Sequence, residues 1–124
     1  MTDTSFTDGR LPQQRLGIAI GHRGPTTIAS VSGVLDSWNA RWLGHTLQRL
    51  LGDQPSVLVA DLTAVGLIDQ VGARMLADTA EHARPSTEFR IVADGPAIIR
   101  TIGSGHPRPR YTVYSARDHA VADT

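Results

Sequence analysis

The spacing of hydrophobic residues changes several times along the chain and predicts alternating strands and helices. Residues 16–20 alternate large and small side chains, and residues 26–34 are rich in β-branched ones, with a Gly-His-Arg-Gly turn between them. This pattern is typical of a β-hairpin. Residues 56–62 are apolar at nearly every position, which indicates a central strand covered on both faces. Residues 88–92 and 111–114 are predicted to be two further strands.

Helical spacing of apolar residues predicts four helices. They run from near residue 38 to 51, from 70 to 84, from about 95 to 102, and over a short stretch after a capping-box pattern at residues 115–118. Asp36 and Ser37 are the predicted caps of the first helix. Residues 63–67, between the central strand and the second helix, are predicted to be a short loop.

The order of these elements predicts a single α/β domain with a mixed β-sheet and helices packed on it. The sheet is expected to be mixed because the chain opens with a hairpin. The length of 124 residues is that of one domain. Residues 1–14 are polar and are interpreted as a flexible tail, and residues 15–124 as the domain.

Composition excludes several kinds of site. The chain has no cysteine, which rules out disulfides and thiolate metal ligands and suits the cytoplasm. All twelve basic residues are arginine, so lysine-based Schiff-base or P-loop chemistry is impossible. The formal net charge of zero favours neither nucleic acid nor membrane surfaces as partners. No apolar run approaches the roughly 20 residues of a membrane helix, so no membrane insertion is expected.

Catalytic and cofactor-binding signals are weak. The histidines have no metal-binding spacing, and we predict no metal and no cofactor. Residues 103–109, which include Ser104 close to a histidine, are interpreted as a loop. Asp36, Asp61 and Asp69 are each predicted near the end of an element and could form one acidic rim for acid–base chemistry or a small ligand. Capping and turn formation is the alternative interpretation, which we prefer.

The predicted helix 70–84 has one small apolar side and one polar side. Gln70, Arg74 and further polar residues form an outward stripe, and Val71 and Met75 lie on its border. An ordinary amphipathic helix accounts for most of this pattern. The functional interpretation is that the first residues of the helix form a contact patch for another protein, in which methionine supplies an adaptable surface.

Four motifs in order make the chain resemble the STAS domain of anti-sigma factor antagonists. They are the strand ending in Asp61-Leu62, the Gly-x-Leu-Asp pattern at residues 33–36, the turn Ile68-Asp69-Gln70-Val71-Gly72-Ala73, and the strand Phe89-Arg90-Ile91-Val92. The resemblance covers residues 16–122 and implies the STAS fold. It also implies binding to an anti-sigma factor, a protein kinase with an ATPase-like fold that phosphorylates a Ser or Thr directly after the Asp.

This chain departs from the family at the phosphorylated position. Gln70 and Val71 follow Asp69, and neither has a hydroxyl. The sequence therefore predicts an anti-sigma factor antagonist that is non-phosphorylatable at this turn and is not an enzyme. The predicted partner-binding residues are Asp36, Ser37, Asp69, Gln70, Val71, Gly72, Arg74 and Met75. The alternatives are a STAS scaffold or adaptor subunit of a sensory complex or lipid transporter, and a small-ligand binder or enzyme that uses the acidic rim.

Overall fold

The computed structural model describes residues 15–83, 86–104 and 111–122. Its elements are β1 (Leu16–Arg23), β2 (Thr26–Leu35), α1 (Ala40–Gly52), β3 (Val57–Ile68), α2 (Gln70–Ala83), β4 (Glu88–Val92), α3 (Pro96–Gly103), β5 (Thr112–Tyr114) and α4 (Arg117–Ala122). The predicted tail at residues 1–14 and most of the predicted loop at 103–109 lie outside the described residues. Within the described ranges, no helix is long and apolar enough to cross a membrane.

The described strands form one mixed sheet in the order β1-β2-β3-β4-β5. β1 is antiparallel to β2, and the strands from β2 to β5 are parallel. This confirms the predicted α/β class and the opening hairpin. Because β2 and β3 are parallel neighbours, their carboxyl ends lie at the same edge of the sheet, and α1 and α2 begin just beyond that edge.

Helices cover the two faces of the sheet unequally. On one face, α1, α2 and α3 bury the main core, to which Leu43, Leu76 and Ile102 each contribute a fully buried side chain. On the other face, α4 is the only helix that packs among the described residues, and its Ala120 and Val121 close a smaller cluster with residues of β2, β3 and β4. Arg90 of β4 is buried in this second layer, and its Nη1 donates to the carbonyl oxygen of Ala120 at 2.6 Å.

The strand β3 is longer than predicted, and the loop predicted at residues 63–67 is wrong. β3 continues to Ile68 beside β2, with shifts in register after Ser30 and after Gly33. Residues 57–62 are all buried, whereas beyond them only Val65 and Ile68 are buried, both in the main core. The continuous apolar pattern stops at residue 62 because the rest of the strand has only one covered face. Gly33 has a φ of 96°, which glycine adopts without strain.

The helix α1 begins at Ala40, two residues later than predicted, and Asp36 and Ser37 are not its caps. Asn39 occupies the N-cap position and is buried. Its amide is directed back toward β2, where Nδ2 donates to the carbonyl oxygen of Val34 at 2.8 Å and Oδ1 accepts from the N–H of Asp36 at 3.0 Å. Residues 36–39 therefore form a separate turn between β2 and α1, here called the β2–α1 turn.

Candidate functional site

The side chain of Asp69 connects two segments at the carboxyl edge of the sheet. Oδ1 accepts a hydrogen bond from the N–H of Gly72 at 2.9 Å, which caps the first turn of α2. Oδ2 accepts a hydrogen bond from the N–H of Ser37 at 3.0 Å, in the β2–α1 turn. The backbone N–H of Asp69 donates to the carbonyl oxygen of Leu35 at 3.1 Å. One carboxylate thus holds the start of α2 and the β2–α1 turn together.

The β2–α1 turn is also stabilised by its own residues. The N–H of Asn39 donates to the carbonyl oxygen of Asp36 at 3.2 Å, which closes a β-turn. Oδ1 of Asp36 accepts from the N–H of Trp38 at 2.9 Å, and its Oδ2 pairs with Nη1 of Arg15 at 3.2 Å. Asp36 is therefore used in organising the turn, and Ser37 and Trp38 are presented outward at its tip.

Exposed apolar side chains accompany these two segments. Trp38 in the β2–α1 turn is 74 % exposed, and Val71 in the first turn of α2 is 50 % exposed. Leu67, near the end of β3, is 57 % exposed. Because tryptophan is enriched among the residues that dominate binding energies at protein interfaces, the exposed indole on this fixed turn is a candidate contact residue. Neither Trp38 nor Leu67 is among the site residues predicted from the sequence; Trp38 lies two positions after the Gly-x-Leu-Asp pattern of residues 33–36.

The predicted site residues on α2 divide into surface residues and supporting residues. Gln70, Val71 and Arg74 are exposed. Gly72 is buried, and a Cβ at this position would lie 2.8 Å from Cγ of Leu35, so glycine allows α2 to sit close to β2. Met75 is half-buried and packs toward α1.

The exposed part of α2 has a weak ion pair between Arg74 and Asp78. Arg74 lies 3.7 Å from Asp78 one turn along the helix, and both side chains are exposed. Such a pair contributes only about 0.3–0.5 kcal/mol to a helix. The guanidinium of Arg74 therefore remains available to a partner at little cost.

The predicted acidic rim does not form, because Asp61 lies elsewhere. Asp61 pairs with Ser30 and Val92 in the middle of the sheet, on the face covered by α4. Its Oδ1 accepts from the N–H and the hydroxyl of Thr63, and its Oδ2 accepts from Nε of Arg117 at 2.9 Å. The interpretation of Asp36, Asp61 and Asp69 as one acidic ligand site is therefore wrong.

The environment of Asp61 stabilises its charged form. Burial by itself would raise the pKa of this carboxyl, but the hydrogen bonds from Thr63 and the guanidinium of Arg117 outweigh burial and lower the pKa below its ordinary value. Asp61 thus acts as an anchor for α4, whose first residue is Arg117. Among the residues described, no group of three or more His, Asp or Glu side chains is arranged to hold a metal ion.

Comparison with known proteins places these features in a family. The model of the STAS domain family matches residues 18–115. The anti-sigma-F factor antagonist RsfB of Mycobacterium tuberculosis is 31 % identical over 85 residues, which cover 68 % of this chain and 70 % of that protein.

Solved structures agree with this match. The crystal structure of an anti-sigma factor antagonist from Mycobacterium paratuberculosis has a TM-score of 0.80 and 30 % identity, covering 87 % of this chain and 92 % of that one. The unphosphorylated form of the anti-sigma factor antagonist SpoIIAA has a TM-score of 0.66 with 9 % identity, covering 86 % of this chain and 96 % of that one, and it shares the fold alone.

Proposed function

Because the chain belongs to the STAS domain family, we propose that it acts as an anti-sigma factor antagonist. The binding surface in this proposal is the Asp69 site, which we define as the β2–α1 turn together with residues 69–75. The observation that carries the proposal is that Trp38 and Val71 are both exposed and lie on the two segments that the Asp69 carboxylate joins. Similarity to RsfB over most of both chains supports the class of partner.

The surface chemistry of the Asp69 site favours binding over catalysis. The oxygens of Asp36 and Asp69 accept hydrogen bonds from backbone N–H groups or pair with Arg15, so neither carboxylate is free to move a proton. Trp38 and Val71 offer apolar area, and Gln70 and Arg74 offer neutral and positive hydrogen-bond donors at its margin. This surface loses little conformational entropy on binding, because its own backbone is already fixed by hydrogen bonds.

Regulation in this proposal does not use a phosphate at the start of α2. Gln70 and Val71 fill the two positions after Asp69, and neither can accept a phosphoryl group. In a protein with a hydroxyl at this position, the dianionic phosphate would add charge and desolvation cost to the interface. In this proposal, the availability of the antagonist for a kinase with an ATPase-like fold is set by something other than this phosphate, such as expression level or a competing partner.

Affinity measurements with an anti-sigma factor from the same genome test the proposal. The Val71→Asp substitution puts a charge into the surface and should weaken binding at least about tenfold, as expected for a residue near an interface centre. Ile99→Asp is the matched control, because Ile99 is also an exposed apolar residue on a helix, at 40 %, but lies on α3. Its effect should stay below about twofold.

Two results would argue against the proposal. Equal loss of affinity in both variants would mean that binding does not depend on the Asp69 site. Capture of a transporter ATPase or a multidomain sensor by the wild-type chain, with no binding to any anti-sigma factor, would favour the adaptor alternative.

A further inference from the structure

We infer that Asp69 is a positioning residue of the proposed binding site, which fixes the exposed Trp38 beside the start of α2 so that Trp38 and Val71 meet the anti-sigma factor as one surface. This inference rests on the proposed function. It assigns to Asp69 an indirect role in place of direct contact, and it assigns to Trp38 the role of the main contact residue.

The hydrogen bonds of Asp69 carry the first step. Both of its carboxylate oxygens point at backbone N–H groups of the chain itself, at 2.9 Å to Gly72 and 3.0 Å to Ser37. Each oxygen therefore holds one backbone donor, and moving the carboxylate toward a partner would leave both donors unpaired. The side chain of Asp69 is accordingly only partly exposed, whereas those of its neighbours Gln70 and Val71 are exposed.

The bonds within the β2–α1 turn carry the second step. Asp36 and Asn39 fix the internal shape of this turn through bonds to Trp38, Val34 and each other. These bonds tie the turn to β2 but not to α2. The bond from Ser37 to Asp69 spans 32 residues of sequence and joins the turn to the segment that carries Val71. The pairing of Leu35 with Ile68 and the bond from the N–H of Asp69 to Leu35 already hold the bases of the two segments together. The side chain of Asp69 adds the bond that holds the tip of the turn, next to Trp38, at the start of α2.

The exposure of Trp38 carries the third step. At 74 % exposed, its indole contributes little to the fold, and it is absent from both hydrophobic clusters. A large aromatic side chain on a fixed turn suits a partner with an apolar pocket and a hydrogen-bond acceptor for the indole N–H. The anti-sigma factor is expected to supply such a pocket.

A fluorescence experiment on the chain alone tests the positioning role. The two tryptophans are Trp38 and Trp42, so Trp42→Phe leaves Trp38 as the single reporter. In this background, Asp69→Ser retains an oxygen that can cap α2 but is too short to hold Ser37 as well. The fast, nanosecond part of the anisotropy decay of Trp38 should grow, by on the order of twofold.

The matched control is Ser37→Ala, which keeps the backbone N–H and so keeps the bond to Asp69. Its anisotropy decay should equal that of the Trp42→Phe parent. If Asp69→Ser does not fold, Asp69→Asn is the second variant, because asparagine caps helices as well as aspartate does but cannot accept both bonds. An unchanged decay in the folded Asp69 variant would overturn the inference.

A binding cycle with the anti-sigma factor separates positioning from contact and from general loss of structure. Asp69→Ser should raise Kd at least about fivefold in the wild-type background, where Trp38 is present. In the Trp38→Ala background it should change Kd less than about twofold, because the residue that Asp69 positions is already gone. Independent, additive losses would show that Asp69 contacts the partner itself and would overturn the inference.

Failure of the proposed function gives a different result. In that case the wild-type chain binds no anti-sigma factor, and all variants are alike in the binding assay. The anisotropy decay still decides whether Asp69 positions Trp38.

Discussion

The anchor between β3 and α4 gives the sharpest test of the energetics of this fold. Replacing Arg117 with alanine removes two contacts to Oδ2 of Asp61, from Nε at 2.9 Å and from Nη2 at 2.8 Å. It also removes the bond from Nη2 to Oγ of Ser30 at 2.6 Å. Asp61 would then remain buried with only Thr63 as donor. The change therefore leaves a buried charge partly uncompensated, which is more costly than the loss of a surface ion pair.

The size of the effect follows from the burial of the two partners. Removing one partner of a fully buried ion pair costs about 3–5 kcal/mol. The side chain of Asp61 is 7 % exposed but that of Arg117 is 44 % exposed, so solvent screens part of the interaction. We expect Arg117→Ala to lower the free energy of unfolding by about 1–3 kcal/mol. Urea denaturation at pH 7, followed by far-ultraviolet circular dichroism, measures it.

The pH dependence gives a second, independent readout of the same change. The folded-state pKa of Asp61 is lowered, so the unfolded state binds more protons between that value and the unfolded value of about 3.9. The stabilisation is present above the unfolded pKa and is lost as pH falls through the folded pKa. In Arg117→Ala this loss should shrink, because burial then opposes the charged form with fewer donors. The pKa of Glu88 is also lowered, mainly by its hydrogen bond from Arg90. Its contribution to the pH dependence of stability should be the same in the wild-type protein and in Arg117→Ala.

The matched control is Arg74→Ala, which breaks an ion pair whose two partners are both exposed. That variant should change the free energy of unfolding by less than about 0.5 kcal/mol. If Arg117→Ala costs no more than Arg74→Ala, or if its acid denaturation curve keeps the wild-type slope, the interpretation of Asp61 as a charged anchor is wrong.

Two further predictions follow from the glycines and from the missing hydroxyl. Gly72→Ala should destabilise the protein by about 1–3 kcal/mol, because the new Cβ would lie 2.8 Å from Cγ of Leu35. Gly52→Ala, at a position in α1 with open space, should stabilise the protein by about 0.5–1 kcal/mol. Thermal or urea unfolding measures both changes. Incubation with an anti-sigma factor kinase and ATP should add no phosphate to residues 62–76 by intact mass and peptide mapping. Stoichiometric phosphate there would contradict the account of the turn.

The sequence was most informative where one physical pattern dominates. The apolar run at residues 56–62 and the helical spacing at 70–84 predicted the central strand and α2, since each pattern is set by burial on one or two faces. The end of β3 escaped prediction because its pairing with β2 depends on register shifts that no local pattern reveals. Asp61 and Arg117 are 56 residues apart, and their bond exists only because β3 and α4 meet across the sheet.

The same limit applies to the Asp69 site. The turn Ile68-Asp69-Gln70 was recognised from its residues, and the structure agrees with Gln70 as the first residue of α2. No local pattern in the sequence predicts that the β2–α1 turn lies near the start of α2. The turn is brought there by contacts between residues distant in sequence, which are the pairing of Leu35 with Ile68 and the bond from Ser37 to Asp69. A residue that belongs to a site through a long-range hydrogen bond has no signature in local spacing.

Asp61 in β3 and Asp69 directly after it are both used in structural hydrogen bonds. Asp61, in the middle of the strand, anchors α4 through Arg117, and Asp69, just after its end, joins the β2–α1 turn to α2. Because β3 is the central strand, a carboxylate on it can reach segments that follow other strands, and each of these carboxylates accepts hydrogen bonds from such a segment. Carboxylates that are hydrogen-bonded in this way hold neighbouring segments in fixed positions, and this is the role that the structure gives to both Asp61 and Asp69.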